Sequence, residues 1–274
     1  NVNYEAKNTS IYKDETTHEM FGAIGYLSEI NLFKKIRDNS KSFLTPKMLL
    51  RYAPGHMREE TSKTRLNHSN VFTLDRLNTN KNFESGLSAT LGFDYELEEP
   101  DKKFDFSIAQ IINEQENPDM PASSSLDQRF SDVVGYSQLE MNDNLRLNYN
   151  FALDQNYGQL NYNELGVNLD FNPIKFDFSY LQEKEHLGDQ EYFKSKINFA
   201  QNKYGLFSAE TKRNLITNSA EYYNLSYEYT NDCLRAGLVY RREFYNDSEL
   251  EPEDSLMFKI TLTPFGNITS PSFN

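Results

Sequence analysis

GLSATLGFDYEL, residues 86–97, alternates without a break. Leu87, Ala89, Leu91, Phe93, Tyr95 and Leu97 fall on one side of an extended chain, and Ser88, Thr90, Gly92, Asp94 and Glu96 on the other. Successive side chains of a strand point to opposite faces, whereas a helix would scatter both sets around its axis, so the period of two selects a strand. The run is also about twice the usual sandwich strand of ~5 to 6 residues. Its length raises the question of what the polar side meets. In a soluble sandwich the polar side meets solvent and the apolar side a second sheet. In a membrane barrel the apolar side meets lipid and the polar side a wet interior.

The same period recurs along the chain. NLRLNYNFAL sets Leu145, Leu147, Tyr149, Phe151 and Leu153 against Arg146, Asn148 and Asn150, and the pattern continues through Leu165 to Phe171, Ile174 to Tyr180 and Leu256 to Leu262. Polar turn clusters at 141–144, 172–173, 201–203 and 230–232 recur at about thirty residues, the length of one hairpin of ~10-residue strands. Longer polar loops begin at Asp154, Glu183, Thr211 and Asn246. Long strands joined to their sequence neighbours favour an all-β, antiparallel up-and-down transmembrane β-barrel, with a soluble all-β fold as the alternative. Tyr223, Tyr227, Tyr229, Tyr240, Phe244 and Tyr245 then suit the aromatic girdles at the membrane interfaces.

Composition agrees with this picture. The mean hydropathy is -0.73 with 38% hydrophobic residues, low for a membrane protein unless half of every strand is polar. A net charge of -13 without a basic stripe excludes nucleic acid as a partner. No apolar run approaches the ~20 residues of a spanning helix. His18, His56, His68 and His186 are dispersed, none in a zinc-binding spacing, and no Ser, His and acid set can be assembled. No catalytic residue, metal or cofactor is therefore assigned, and an enzyme is not expected.

The pattern predicts about 13–14 strands across residues 1–274, a count that treats the whole chain as part of one barrel domain. Strands are expected near 18–33 and 42–53, separated by a turn at 37–42, with long loops near 54–83 and 113–129 and a last strand near 255–264. The second long loop has the Pro and Ser content of a surface excursion. Pro46 removes a ladder donor and belongs at an edge or bulge. Arg146, Lys175, Lys194, Lys196, Arg235 and Arg241 are expected on the polar, lumen-facing side. NVNYEAKNTS, at the start, has neither the basic nor the apolar part of a leader, and reads as beginning within a longer chain. Short turns on the periplasmic side place the lone Cys233 in an oxidising compartment. It is either a buried free thiol or half of a bond.

Four blocks in order, SFLTPKMLLRYAPG (42–55), NVFTLDRL (70–77), GLSATLGFDYEL (86–97) and KKFDFSIAQIINEQEN (102–117), resemble the C-terminal barrel half of the LptD family, the lipopolysaccharide-assembly proteins of the Gram-negative outer membrane. The resemblance implies a 26-stranded barrel of which this chain supplies roughly the second half. It implies that lipopolysaccharide arrives over the periplasmic bridge protein LptA, that the lipoprotein LptE plugs the lumen, and that the lipid leaves between the first and last strands. Leu256, Met257, Phe258, Lys259, Ile260, Thr261, Leu262 and Thr263 would then form one side of that lateral gate. Family members often carry adjacent cysteines at this turn, bonded to the periplasmic domain. Here the pair is reduced to Asp232 and Cys233, which implies one bridge with a mate upstream of residue 1. The implied function is lipopolysaccharide transport and insertion into the outer leaflet, with a generic porin or nutrient receptor channel as the alternative.

Overall fold

The structure, a computed structural model, describes residues 2–4, 17–19, 22–37, 39–55, 57–61, 65–76, 82–184, 188–244, 253–262 and 266–269. His56, His186, Tyr245 and Thr263 lie outside the described residues. The strands are β1 Val2–Tyr4, β2 Thr17–Glu19, β3 Ile24–Glu29, β4 Leu32–Arg37, β5 Ser40–Ala53, β6 Gly86–Glu99, β7 Lys102–Asn113, β8 Val133–Met141, β9 Leu145–Leu153, β10 Leu160–Phe171, β11 Ile174–Glu183, β12 Gln190–Ala200, β13 Gly205–Asn214, β14 Ser219–Thr230, β15 Leu234–Glu243, β16 Glu253–Leu262 and β17 Gly266–Thr269. Strands β1 and β2 pair with each other. The rest form one sheet whose spatial order is the sequence order, from β3 and β4, which both pair with β5, through to β17. This is the all-β, up-and-down arrangement expected from the sequence. Strands β12 to β16 are 10 to 12 residues long, matching the ~9–11 residues that a tilted strand needs to cross a membrane.

Four expectations need correction. A single strand over 18–33 is replaced by β2, β3 and β4, and the break between the last two has a cause in β5. The Pro46 carbonyl accepts from the Ile30 amide at 3.2 Å, so the missing Pro46 N–H faces the same neighbour and leaves the ladder one donor short. Strand β3 stops at Glu29, opposite Lys47, and β4 begins at Leu32, opposite Leu44. Thr45 Oγ1 donates to Asn31 Oδ1 across the gap at 3.0 Å. Second, β5 already begins at Ser40, so the turn placed at 37–42 is shorter. Third, the loop expected from Thr211 is only 215–218, because the Asn214 side chain accepts from the Ile216 and Thr217 amides and closes a tight turn. Fourth, β17 follows β16 and pairs with its Lys259–Leu262 half, so the strand expected near 255–264 is not the last.

Contacts divide the chain into two compact units. The first comprises Asn1–Gln138, Tyr149–Asn163 and Glu183–Asp189, and the second Leu139–Asn148, Glu164–Gln182 and Gln190–Asn274. In the second, register sorts the faces. Lys196, Glu210, Asn224, Arg241 and Ser255 form one row across β12 to β16, and Ile197, Ala209, Leu225, Tyr240 and Leu256 form the next. Adjacent rows point to opposite faces, so one face is polar and the other apolar. The apolar face is bare: Leu225, Leu238 and Phe258 are 44, 45 and 47% exposed.

The first unit repeats the division. Gly25, Arg51, Ser88 and Asn113 share one face of β3, β5, β6 and β7, and Tyr26, Leu50, Ala89 and Ile112 the other. Its core, however, lies on the polar face. Leu49, Ala109 and Ile111 occupy positions of that face, and Met57, Leu66, Val71, Met120 and Leu126 from the two long loops are buried with them. The described parts of both loops therefore lie against the wall, and the second, expected as a surface excursion, is not one. Folded there, their apolar side chains leave water against Leu49, Ala109 and Ile111 and one another. The two loops also join each other, the Glu60 amide donating to the Asp119 carbonyl at 2.8 Å.

Candidate functional site

Where the 65–76 segment meets β5 and β6, two arginines and a glutamate are shut away from solvent. Arg51 and Arg76 are each 1% exposed and Glu84 3%. Arg76 Nη1 donates to both Glu84 carboxylate oxygens at 2.8 and 2.9 Å, and its Nη2 to Ser88 Oγ and Thr90 Oγ1 at 3.2 and 3.1 Å. Arg51 Nε donates to the Leu74 carbonyl and its Nη2 to the Glu84 carbonyl, both at 2.8 Å. Arg51 Nη1 stands 3.9 Å from Glu84 Oε2. Fixed guanidinium forks suit this work, since each reaches several acceptors in a plane. Gly25 makes room for the segment: a Cβ there would lie 2.5 Å from Leu74 Cδ2.

At the other end of the same segment, Arg65 Nη1 donates to Glu183 Oε2 of β11 at 2.8 Å. The Arg65 guanidinium also lies 3.5 Å from the ring centre of Tyr162 on β10. His68, between the two ends, stacks on Tyr136 of β8 with ring centres 4.6 Å apart. Burial pushes its imidazole below the ordinary 6.5, with Asp94 opposing. In the second loop, burial pushes the Asp127 carboxyl up, and Asp132 and Glu116 add to the shift.

The charged residues expected on the polar side are each paired with a wall acid. Lys194 and Lys196 meet Glu210 at 3.0 and 3.9 Å, Arg235 meets Glu228 at 2.9 Å, and Arg241 pairs with Glu243. Register puts these four cations on one face. Glu210 also accepts from the Tyr222 hydroxyl at 2.8 Å. Arg146 meets Glu140 at 2.7 Å and Lys175 meets Asp170 at 2.5 Å. These last two come together around a polar hollow of about 410 Å³ beside the 142–144 turn, with Asp143 and Asp177.

In β16, Leu256, Phe258, Ile260 and Leu262 share the apolar face, while Met257, Lys259 and Thr261 share the polar one. Among the described residues, only Lys259–Leu262 are paired on the β17 side. Cys233 is exposed rather than buried. It sits in the turn between β14 and β15, where its amide donates to Asn231 Oδ1 at 3.0 Å. The Arg65, Arg51, Arg76 and Glu84 contacts were not expected from the sequence. Their one visible signal was charge and hydroxyl at positions of the polar face.

Ten-residue strands in sequence order, with a bare apolar face and a polar face of paired charges, define the wall of a membrane β-barrel. The comparisons make this specific. The LptD family, LPS transport system D, matches residues 29–227, and the chain belongs to that family. Family and fold together are those of an outer-membrane β-barrel of lipopolysaccharide transport, a family of transport proteins. No curated protein matches the chain. A solved structure of a mutant of the Rh. blastica porin is similar over 91% of this chain and 97% of its own, at 8% identity and a TM-score of 0.32.

Proposed function

We propose that the chain forms part of a barrel wall in the cell outer membrane that carries lipopolysaccharide to the outer leaflet. The observation that carries this reading is the match to the lipopolysaccharide transport family over residues 29–227. The bare apolar rows face lipid, and the polar rows, with Arg146, Lys175, Lys194, Lys196, Arg235 and Arg241, line the lumen. Because each of these cations has an acid partner, the wall offers hydrogen bonds with little net charge. An anionic saccharide passes along such a surface without being held by it.

In this reading LptA delivers the lipid, LptE fills the lumen, and Leu256 to Thr263, with β17 lying along the Lys259–Leu262 half, form one side of the seam through which acyl chains leave. The short turns face the periplasm, and Cys233 bonds there to a cysteine of the periplasmic domain. The test is a covalent lock between residues 256–263 and the first barrel strand of the full-length protein. Lipopolysaccharide should then fail to reach the cell surface. Normal delivery through a barrel shown to be fully locked would defeat the gate, and solute flux with no lipopolysaccharide defect on depletion would defeat the export role itself.

A further inference from the structure

We propose that Arg213 and Arg242, at one end of the lipid-facing side of the wall, form a docking site for a diphosphorylated lipid headgroup. The site rests on the export reading for its leaflet alone, which that reading makes the outer one. Outside the β14 bulge, the charged residues on the apolar face of β12 to β16 are Glu191, Arg213, Arg242 and Asp254, among the described residues. Each stands second from the end of its strand, and antiparallel order brings those four ends together. Toward the opposite end the same face carries Phe199, Phe207, Tyr229, Leu234 and Leu262. Glu221, in the bulge, pairs with Lys212 of the polar face at 2.7 Å. Charge on a lipid-facing surface is tolerated best at the level of the headgroups, so this band meets them.

The bonding within the band points to phosphate. On the polar face, acids close on cations, as Glu210 does on Lys194 and Glu228 on Arg235. Here each acid takes a tyrosine hydroxyl instead: Tyr180 donates to Glu191 at 2.7 Å and Tyr240 to Asp254 at 3.0 Å. Arg213 Nη2 donates to the Asn218 side chain at 2.6 Å and to the Asn218 carbonyl at 3.3 Å, both neutral acceptors. Arg242 lies over the Phe244 ring, 5.3 Å from its centre, and Phe244 meets Tyr223 edge-on. Asp254 stands 3.7 Å from Arg242 Nε, beyond hydrogen-bonding distance, and Arg242 is 46% exposed. Both guanidinium groups are thus positioned chiefly by neutral neighbours, and their planar forks match the oxygens of a phosphate. They lie two strands and two residues apart, so spacings of ~4.8 Å and ~3.4 Å set their backbones roughly 12 Å from each other. That separation suits two phosphates on one headgroup, with acyl chains lying along Leu225 and Leu238 of the bare face.

The test uses full-length protein in phosphatidylcholine nanodiscs, with p-benzoylphenylalanine in place of Tyr223, which lies on β14 between the two arginines. The same group in place of Tyr229, toward the other end of that face, is the control. Photolysis with diphosphorylated lipid A should give a lipid adduct at 223, and lipid A stripped of both phosphates far less. Arg213→Gln with Arg242→Gln should lower the adduct at 223 about tenfold or more, as the loss of two charge-assisted bonds requires, and leave that at 229 unchanged. If the double variant loses its heat-modified mobility, the two single variants decide by the same comparison. Equal adducts with and without the arginines, or with and without the lipid phosphates, overturn the site. Suppression of the phosphate-dependent adduct by inorganic phosphate would make it a site for the free ion and overturn the lipid. Export is scored separately: a phosphate-dependent adduct in a protein that moves no lipopolysaccharide would sink the function and keep the site.

Discussion

Glu84→Gln puts the buried cluster to a quantitative test. The Glu84 carboxylate holds Arg76 Nη1 through both oxygens at 2.8 and 2.9 Å and stands 3.9 Å from Arg51 Nη1. Glutamine keeps the shape and one acceptor but leaves two guanidinium charges facing an uncharged group. At an effective dielectric of about 20, a unit charge pair at 3 to 4 Å is worth ~4–6 kcal/mol. Part of this is offset, because the carboxylate no longer has to be desolvated. The net loss should fall near the ~3–5 kcal/mol found when one partner of a buried pair is removed. At ~2–4 °C per kcal/mol for a domain of this size, the melting midpoint should drop by about 6–20 °C. Heat-modified mobility of the full-length protein on electrophoresis reads this directly. Arg76→Met with Glu84→Leu should recover much of the loss, since apolar isosteres remove both charges. Arg51 keeps its two carbonyl acceptors in that variant. A Glu84→Gln midpoint within about 2 °C of the parent, where surface substitutions usually fall, would refute the claim that charge pairing anchors the segment.

Three further outcomes are expected. Leu225→Arg, on the bare apolar face, should destabilise the inserted barrel by ~2–4 kcal/mol, while Ser226→Arg on the polar face should change it by less than about 1 kcal/mol; equal effects in denaturant titrations from liposomes would contradict the facing. For His68 the folded value lies below 6.5. As the pH falls below 6.5, the unfolded chain takes up a proton that the folded form resists, so stability falls with pH and then levels out below the folded value. Melting midpoints across that window should show the fall in the parent and less of it in His68→Phe. Finally, Cys233 in cells should resist thiol alkylation until a reductant is added, and Cys233→Ser should shift the nonreducing electrophoretic mobility; ready alkylation without reductant would remove the proposed bridge.

The fold was legible because strand periodicity survives every loop. Glycine-led GLSATLGFDYEL and the rows ending at Leu262 lie on the faces that alternation assigned to them. Pro46 was legible in kind, as a missing donor, but its consequence appeared in the neighbour, where it divides β3 from β4. A ladder defect is a property of two strands, and one sequence window shows only one of them. Register puts Lys194, Lys196, Arg235 and Arg241 on one face, yet the neutralisation of the cations by Glu210, Glu228 and Glu140 depends on cross-strand pairing, which alternation leaves undetermined.

The loops were hidden for a different reason. Their polarity suggested solvent, and a barrel wall supplies solvent on its polar side as well as beyond its rim, so composition cannot say which one a loop enters. The discriminating signal was on the wall. Leu49, Ala109 and Ile111 share a face with Arg51, Ser88 and Asn113, and apolar groups left open to water there cost free energy that covering them recovers. A wall that needs a cover at those points, and a loop with Leu66, Val71, Met120 and Leu126 to provide it, determine each other. Arg51 and Arg76 then fall where wall and loop meet, because a polar face offers Ser88 and Thr90 as acceptors that a lipid face could not. The wall therefore selects which loop residues can be charged, and the buried cluster follows from the same alternation that makes the strands.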